Sequence, residues 1–98
     1  MYSIKPLPEF TAWLDGLKDR VTRLRSARRL DKAQRGTLGD VKVVGDSVYE
    51  MREHFGPGWR MYYIQRGETL IIMLGGGDKS TQSSDIAKAV KLSTLLEE

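Results

Sequence analysis

After Gly39 the chain reads as four short apolar runs with almost nothing between them: Val41–Val44, Val48–Phe55, Trp59–Arg66 and Thr69–Gly75. The gaps are Gly45-Asp46, Gly56-Pro57-Gly58 and Arg66-Gly67-Glu68. Parallel neighbours need a long crossover, so gaps this short predict an antiparallel meander. The run Leu70-Ile71-Ile72-Met73-Leu74 is apolar at every position, which predicts a central strand buried on both faces.

The flanking residues supply helices. Met1–Ile4 is a candidate short strand ended by Pro6 and Pro8, and Pro8 suits the first turn of a helix, where its missing N–H is not needed. From there Phe10, Trp13, Leu14, Leu17, Val21, Leu24, Ala27 and Leu30 recur at helical spacing, which predicts one apolar stripe with arginines outside it. Gly16 and Lys18-Asp19 leave open one helix or a tight helical hairpin, and Gly36 and Gly39 end the segment. A last helix over about Ser83–Leu96 places Ile86, Ala89, Val90 and Leu96 on its apolar side. The expected fold is α+β: a small antiparallel β-sheet with an N-terminal helical hairpin and a C-terminal helix, forming one domain over residues 1–98.

Charge narrows the partners. The net charge is +3. Between Lys18 and Arg35 stand eight basic residues and two acidic ones, a local +6, so the remainder carries −3. The positive field belongs to one helical segment, able to follow a phosphate backbone, receive an acidic partner or simply solubilise that face. The chain has no cysteine, which excludes a disulfide frame and a thiolate zinc site. No stretch reaches the roughly 20 apolar residues of a membrane span, and the amino terminus lacks a signal peptide's apolar centre. The expectation is a soluble, cytoplasmic, unprocessed protein without cofactor or metal.

Period-2 geometry sorts the middle strands. Glu50, Arg52 and His54 fall on one face of the second run, and Tyr49, Met51 and Phe55 on the other. In the third run Arg60, Tyr62, Ile64 and Arg66 oppose Trp59, Met61 and Tyr63. Turning the apolar sets together brings Arg60 and Tyr62 beside Glu50, Arg52 and His54, with Lys79 near the edge. Such a group suits a phosphodiester: Arg52, Arg60 and Lys79 bind and neutralise the phosphate, Glu50 or His54 moves a proton, and Tyr62 or Trp59 stacks on an unpaired base. Polar residues on an open sheet face are also commonly just solvated.

The stretch "LGGGDKSTQSSDIAKA" from Leu74 invites comparison with a nucleotide phosphate loop. That loop requires Gly-Lys-Ser/Thr after a first glycine five residues earlier. Here Asp78 separates Gly77 from Lys79 and Ile72 occupies the first position, so the match fails twice. The three glycines are expected instead to make a close turn that delivers Lys79 to the sheet rim, with Ser80 to Ser83 capping the last helix.

The segments "PEFTAWLDGLKDR", "GDVKVVGDSVYEMREHFGPGWRMYY" and "GGGDKSTQSSDIAKA" resemble the addiction-module killer proteins, a HigB-like branch of the RelE/ParE toxin superfamily also described as phage Gp49-like. The resemblance spans residues 2 to about 90. It implies an antiparallel sheet under an N-terminal helical hairpin. It also implies a toxin that enters the ribosomal A site and cuts messenger RNA by 2′-hydroxyl attack on the adjacent phosphate. A cognate helix-turn-helix antitoxin would neutralise it. By position, Arg60 corresponds to the phosphate-binding arginine, Arg52 lies on the strand carrying basic catalytic residues, and Lys79 follows the last strand. Glu50 and His54 complete the catalytic candidates; Tyr62, Lys42, Arg23 and Arg28 are the RNA-binding ones. The family often keeps a C-terminal tyrosine, but this chain has no Tyr or His after Lys79, so acid–base work falls to Glu50, His54, Lys42 or Tyr62. Two other readings share the fold: a ParE-like gyrase inhibitor, and a phage-derived module that only binds its partner.

Overall fold

A computed structural model describes residues 1–96. The elements run β1 (Ser3–Pro6), α1 (Pro8–Asp15), α2 (Arg20–Gln34), β2 (Val41–Gly45), β3 (Val48–Arg52), β4 (Arg60–Arg66), β5 (Leu70–Gly77) and α3 (Gln82–Leu96), with a 3-10 turn at Lys79–Thr81. They build one sheet in the order β1-β5-β4-β3-β2. The meander β2 to β5 is antiparallel throughout, as the short gaps required. The first strand is parallel to β5, from Ser3 opposite Leu70 to Pro6 opposite Met73.

Both faces of this sheet are covered. On one, α1 and α2 enclose Phe10, Ala33, Met51, Met61, Tyr63, Ile71 and Met73. On the other, α3 covers Val48, Tyr62, Ile64, Ile72 and Leu74. That explains the unbroken apolar run of β5: Ile71 and Met73 point to one layer, Ile72 and Leu74 to the other. Each fully buried side chain of this size contributes about 1.5–3 kcal/mol.

Three expectations change. The helices follow β1 and do not form a close hairpin; α1 lies chiefly on β5 and touches α2 only briefly. The continuous stripe also breaks at α2, where Val21 is 59% and Leu24 52% exposed. Its inner face is instead Thr22, Ser26 and Ala33, with Arg29 and Leu30 half-buried beside them. The reason is a restart: Asp19 caps α2 by accepting from the Val21 N–H at 3.1 Å and the Thr22 hydroxyl at 2.7 Å. The new helix is then turned by Arg29, which donates to the carbonyls of Leu38, Arg52 and Asp40 and pairs with Glu53 at 3.1 Å.

The third change concerns Gly75–Gly77, which are strand and not turn, paired with Tyr62, Met61 and Arg60 of β4. They are glycines because other side chains come so close. A methyl on Gly76 would lie 2.6 Å from the Trp13 indole, and one on Gly77 would collide with the Asp85 carboxylate. The turn itself begins at Asp78, whose side chain accepts from the Ser80 N–H at 2.8 Å.

Candidate functional site

The register of the β3–β4 hairpin puts Glu50 opposite Tyr62 and Arg52 opposite Arg60, so the four share one face. That face is not open. α3 lies on it, and Glu50 and Arg60 are each 1% exposed and Tyr62 0%. Arg60 Nε stands 3.5 Å from Glu50 Oε1, and its Nη1 donates to the carbonyls of Glu53 and Trp59 at 2.9 and 3.0 Å. Gln82, at the start of α3, donates to Glu50 Oε2 at 2.8 Å. The Tyr62 hydroxyl finds no hydrogen-bond partner among the described residues. Burial first, and then the charge of Glu50, push its pKa above the ordinary tyrosine value. A base cannot stack on Tyr62 from solvent, and Glu50 and Arg60 form a sealed ion pair joining strands to helix.

Arg52 is the exception, with 34% of its side chain exposed. It reaches back to Glu50 at 3.9 Å while its strand partner on the outer side is Asp40, whose carbonyl accepts the Arg52 N–H at 3.0 Å. The Asp40 carboxylate holds His54 Nε2 at 2.6 Å. That hydrogen bond, aided by the charges of Arg52 and Arg29, keeps the Asp40 carboxyl below its usual range. An ionised carboxylate only accepts, so Nε2 carries the proton and donates it, leaving Nδ1 as the acceptor of the neutral ring. His54 therefore lies past the end of β3 and outside the Glu50–Arg60–Tyr62 group, where strict alternation had put it. It is exposed, and Asp40 orients it.

A cleft of about 570 Å³ adjoins the imidazole, lined on one side by Arg25, Arg28, Arg29 and Lys32 of α2 and on the other by His54 and Phe55. The Arg25 guanidinium lies 4.1 Å from the Phe55 ring centre. Arg28 and Lys32 are exposed. Arg23 is exposed on the same helix, and Lys42 is exposed on the edge strand opposite Glu50. Lys79 is exposed beyond β5, its methylenes packed against Gly58, where a methyl would meet them at 2.9 Å. The φ of +81° at Gly58 also favours glycine.

The sequence reading missed Asp40 and Gln82. Asp40 was within reach of the pattern: extending the β2–β3 ladder one step outward from Val41 opposite Met51 places it against Arg52. Gln82 was not, because nothing in the pattern told which face α3 covers. Among the described residues no group of His, Asp and Glu is arranged to hold a metal ion, and no helix is long and apolar enough to cross a membrane.

Known proteins fit this architecture. An uncharacterized protein of Haemophilus influenzae is 39% identical over 93 residues, covering 95% of this chain and 94% of the relative. The solution structure of a conserved hypothetical protein from Helicobacter pylori superimposes with a TM-score of 0.55 at 17% identity, over 82% of this chain and 97% of that one, which establishes a shared fold. The model of the Phage derived protein Gp49-like family (DUF891), a family related to the toxins of toxin–antitoxin modules, matches residues 12–94. By that match, over nearly its whole length, the chain belongs to the Gp49-like family.

Proposed function

We propose that this protein is the toxin of a toxin–antitoxin module: a ribosome-dependent endoribonuclease that cuts messenger RNA in the A site and is neutralised by a cognate helix-turn-helix antitoxin. The observation that carries the reading is Arg52, half-exposed beside the Asp40–His54 pair, in a chain of a toxin-related family. In this mechanism the RNA 2′-oxygen attacks the adjacent phosphorus and the bond to the 5′-oxygen breaks. His54 accepts the 2′-hydroxyl proton or supplies one to the leaving oxygen, and Asp40 fixes its tautomer. Arg52 and Lys79 neutralise the charge gathering on the phosphate oxygens. Arg60 and Glu50 act from inside, holding the hairpin that carries Arg52. Arg23, Arg28 and Lys42 contact RNA phosphates.

Primer extension on a reporter message in a cell-free translation system tests this. The wild type is expected to cut only when ribosomes are present, and His54→Ala to lower the rate by about 10²–10⁴-fold. Arg52→Ala and Lys79→Ala are expected to weaken cleavage as well. An uncut message with arrested growth would point to the gyrase-inhibitor reading. The sealing of Glu50, Arg60 and Tyr62 away from solvent favours a second reading, a module that binds its partner without chemistry. That reading wins if the wild type neither cuts nor arrests growth.

A further inference from the structure

β5 is longer than the strand beside it. β1 accompanies it only as far as Pro6 opposite Met73, the Leu7 N–H closing the series on the Met73 carbonyl at 3.0 Å. The chain then leaves into α1. Leu74–Gly77 continues, paired with β4 on one side and with no described strand on the other. A cavity of about 760 Å³ lies at this end of β5. Trp13 and Trp59 line it on one side, their rings 6.4 Å apart; Ala89, Leu92 and Leu95 of α3 line it on the other.

Successive side chains of a strand point to opposite faces. A strand laid against Leu74–Gly77 would thus drop one side chain onto the tryptophans and the next onto the α3 leucines. β1 and its exit already do this one step earlier along the same edge, where Ile4 packs into the α1–α2 layer and Leu7 into the α3 layer. Lys88 and Lys91 also line the cavity and pair with no acid among the described residues, so acidic ends on the occupant complement them. Two copies presenting this short edge to each other would bring their flanking helices together, whereas a free extended segment enters between them. Backbone donors and acceptors on the floor and apolar walls on both sides suit a peptide better than RNA.

We infer that this edge captures an extended segment of a partner protein as an added strand, apolar and β-branched at its centre and acidic at its ends. The site is separate from Arg52 and His54, so it stands whether or not the protein cuts RNA. Failure of the cleavage assay leaves it intact, and failure of the test below leaves the nuclease reading intact.

The test is an NMR titration of the ¹⁵N-labelled protein with an acetylated, amidated octapeptide carrying four valine and isoleucine residues between paired glutamates. The amides of Gly75, Gly76 and Gly77 and the indole N–H signals of Trp13 and Trp59 are expected to shift. A peptide with N-methylated central amides is expected not to bind. Leu95→Asp, at a side chain 56% exposed, is expected to weaken binding about tenfold or more, and Lys88→Glu to weaken it with a native spectrum should Leu95→Asp perturb folding. The inference falls if the peptide shifts none of these signals or if the N-methylated peptide shifts them equally. It falls too if they respond to a single-stranded RNA oligonucleotide but not to the peptide, or if they move with protein concentration alone.

Discussion

Arg60 carries a full charge into the interior, and Glu50, Gln82 and two backbone carbonyls surround it. Removing one partner of such a pair strands the other, so Arg60→Ala is expected to cost about 3–5 kcal/mol in urea unfolding. The joint change Arg60→Met with Glu50→Leu is expected to restore most of that, because two apolar side chains of similar volume leave no buried charge. Exposed His54→Ala is expected to stay within about 0.5 kcal/mol of wild type. Loss of activity in Arg60→Ala therefore reports folding, while loss in His54→Ala reports the site. Acid sensitivity also resolves to single residues. Asp19, Asp40 and Asp78 are all held below the ordinary value of 3.8, by hydrogen bonds chiefly from Thr22, His54 and Ser80. A carboxylate lowered in the folded state stabilises fully above its unfolded value and stops doing so as pH falls through its folded one. The urea midpoint is thus expected to fall as pH drops below about 4, and Asp78→Asn is expected to flatten that fall.

At the scale of elements, what could be read in advance was whatever depends on neighbours in sequence. The hairpins of the meander followed from gap length, and the pairing of Glu50 with Tyr62 and Arg52 with Arg60 followed from strand period. The rotation of α2 did not, since it is fixed by Arg29 bonding to carbonyls at residues 38, 40 and 52. No helical periodicity encodes contacts that distant. The glycines of β5 failed for the same reason: their partners Trp13 and Asp85 belong to different helices. The candidate site shows the limit most plainly, because alternation chose the right face for Glu50 and Arg60 but not that α3 would close it. If α2 is oriented as described, Leu24→Gln is expected to change stability by no more than about 0.5 kcal/mol. Ala33→Leu, filling a fully buried position, is expected to cost about 1–3 kcal/mol. Thermal or urea unfolding of the two variants distinguishes this rotation from the stripe expected from sequence.

Over the whole molecule, charge is divided by layer. The segment from Lys18 to Arg35 carries +6 within a total of +3, and four of its cations line the cleft beside His54. Association with ribosomes or RNA is expected to weaken steeply as salt is raised. Replacing Arg23 and Arg28 with glutamine is expected to make that dependence shallower, by about one unit of log–log slope for each phosphate no longer neutralised. A sedimentation or fluorescence titration across salt concentrations measures it. The parallel pairing of β1 with β5 acts on another axis, the order of assembly. The first strand to leave the ribosome has no neighbour until Leu70–Met73 has been made, with most of the chain between them. Such a long closure is slow compared with the adjacent hairpins β2–β3 and β3–β4. The nascent chain therefore builds its meander first and admits its own amino terminus last, so α1, anchored to β5 through Trp13 and Gly76, takes its final place only when synthesis is nearly over.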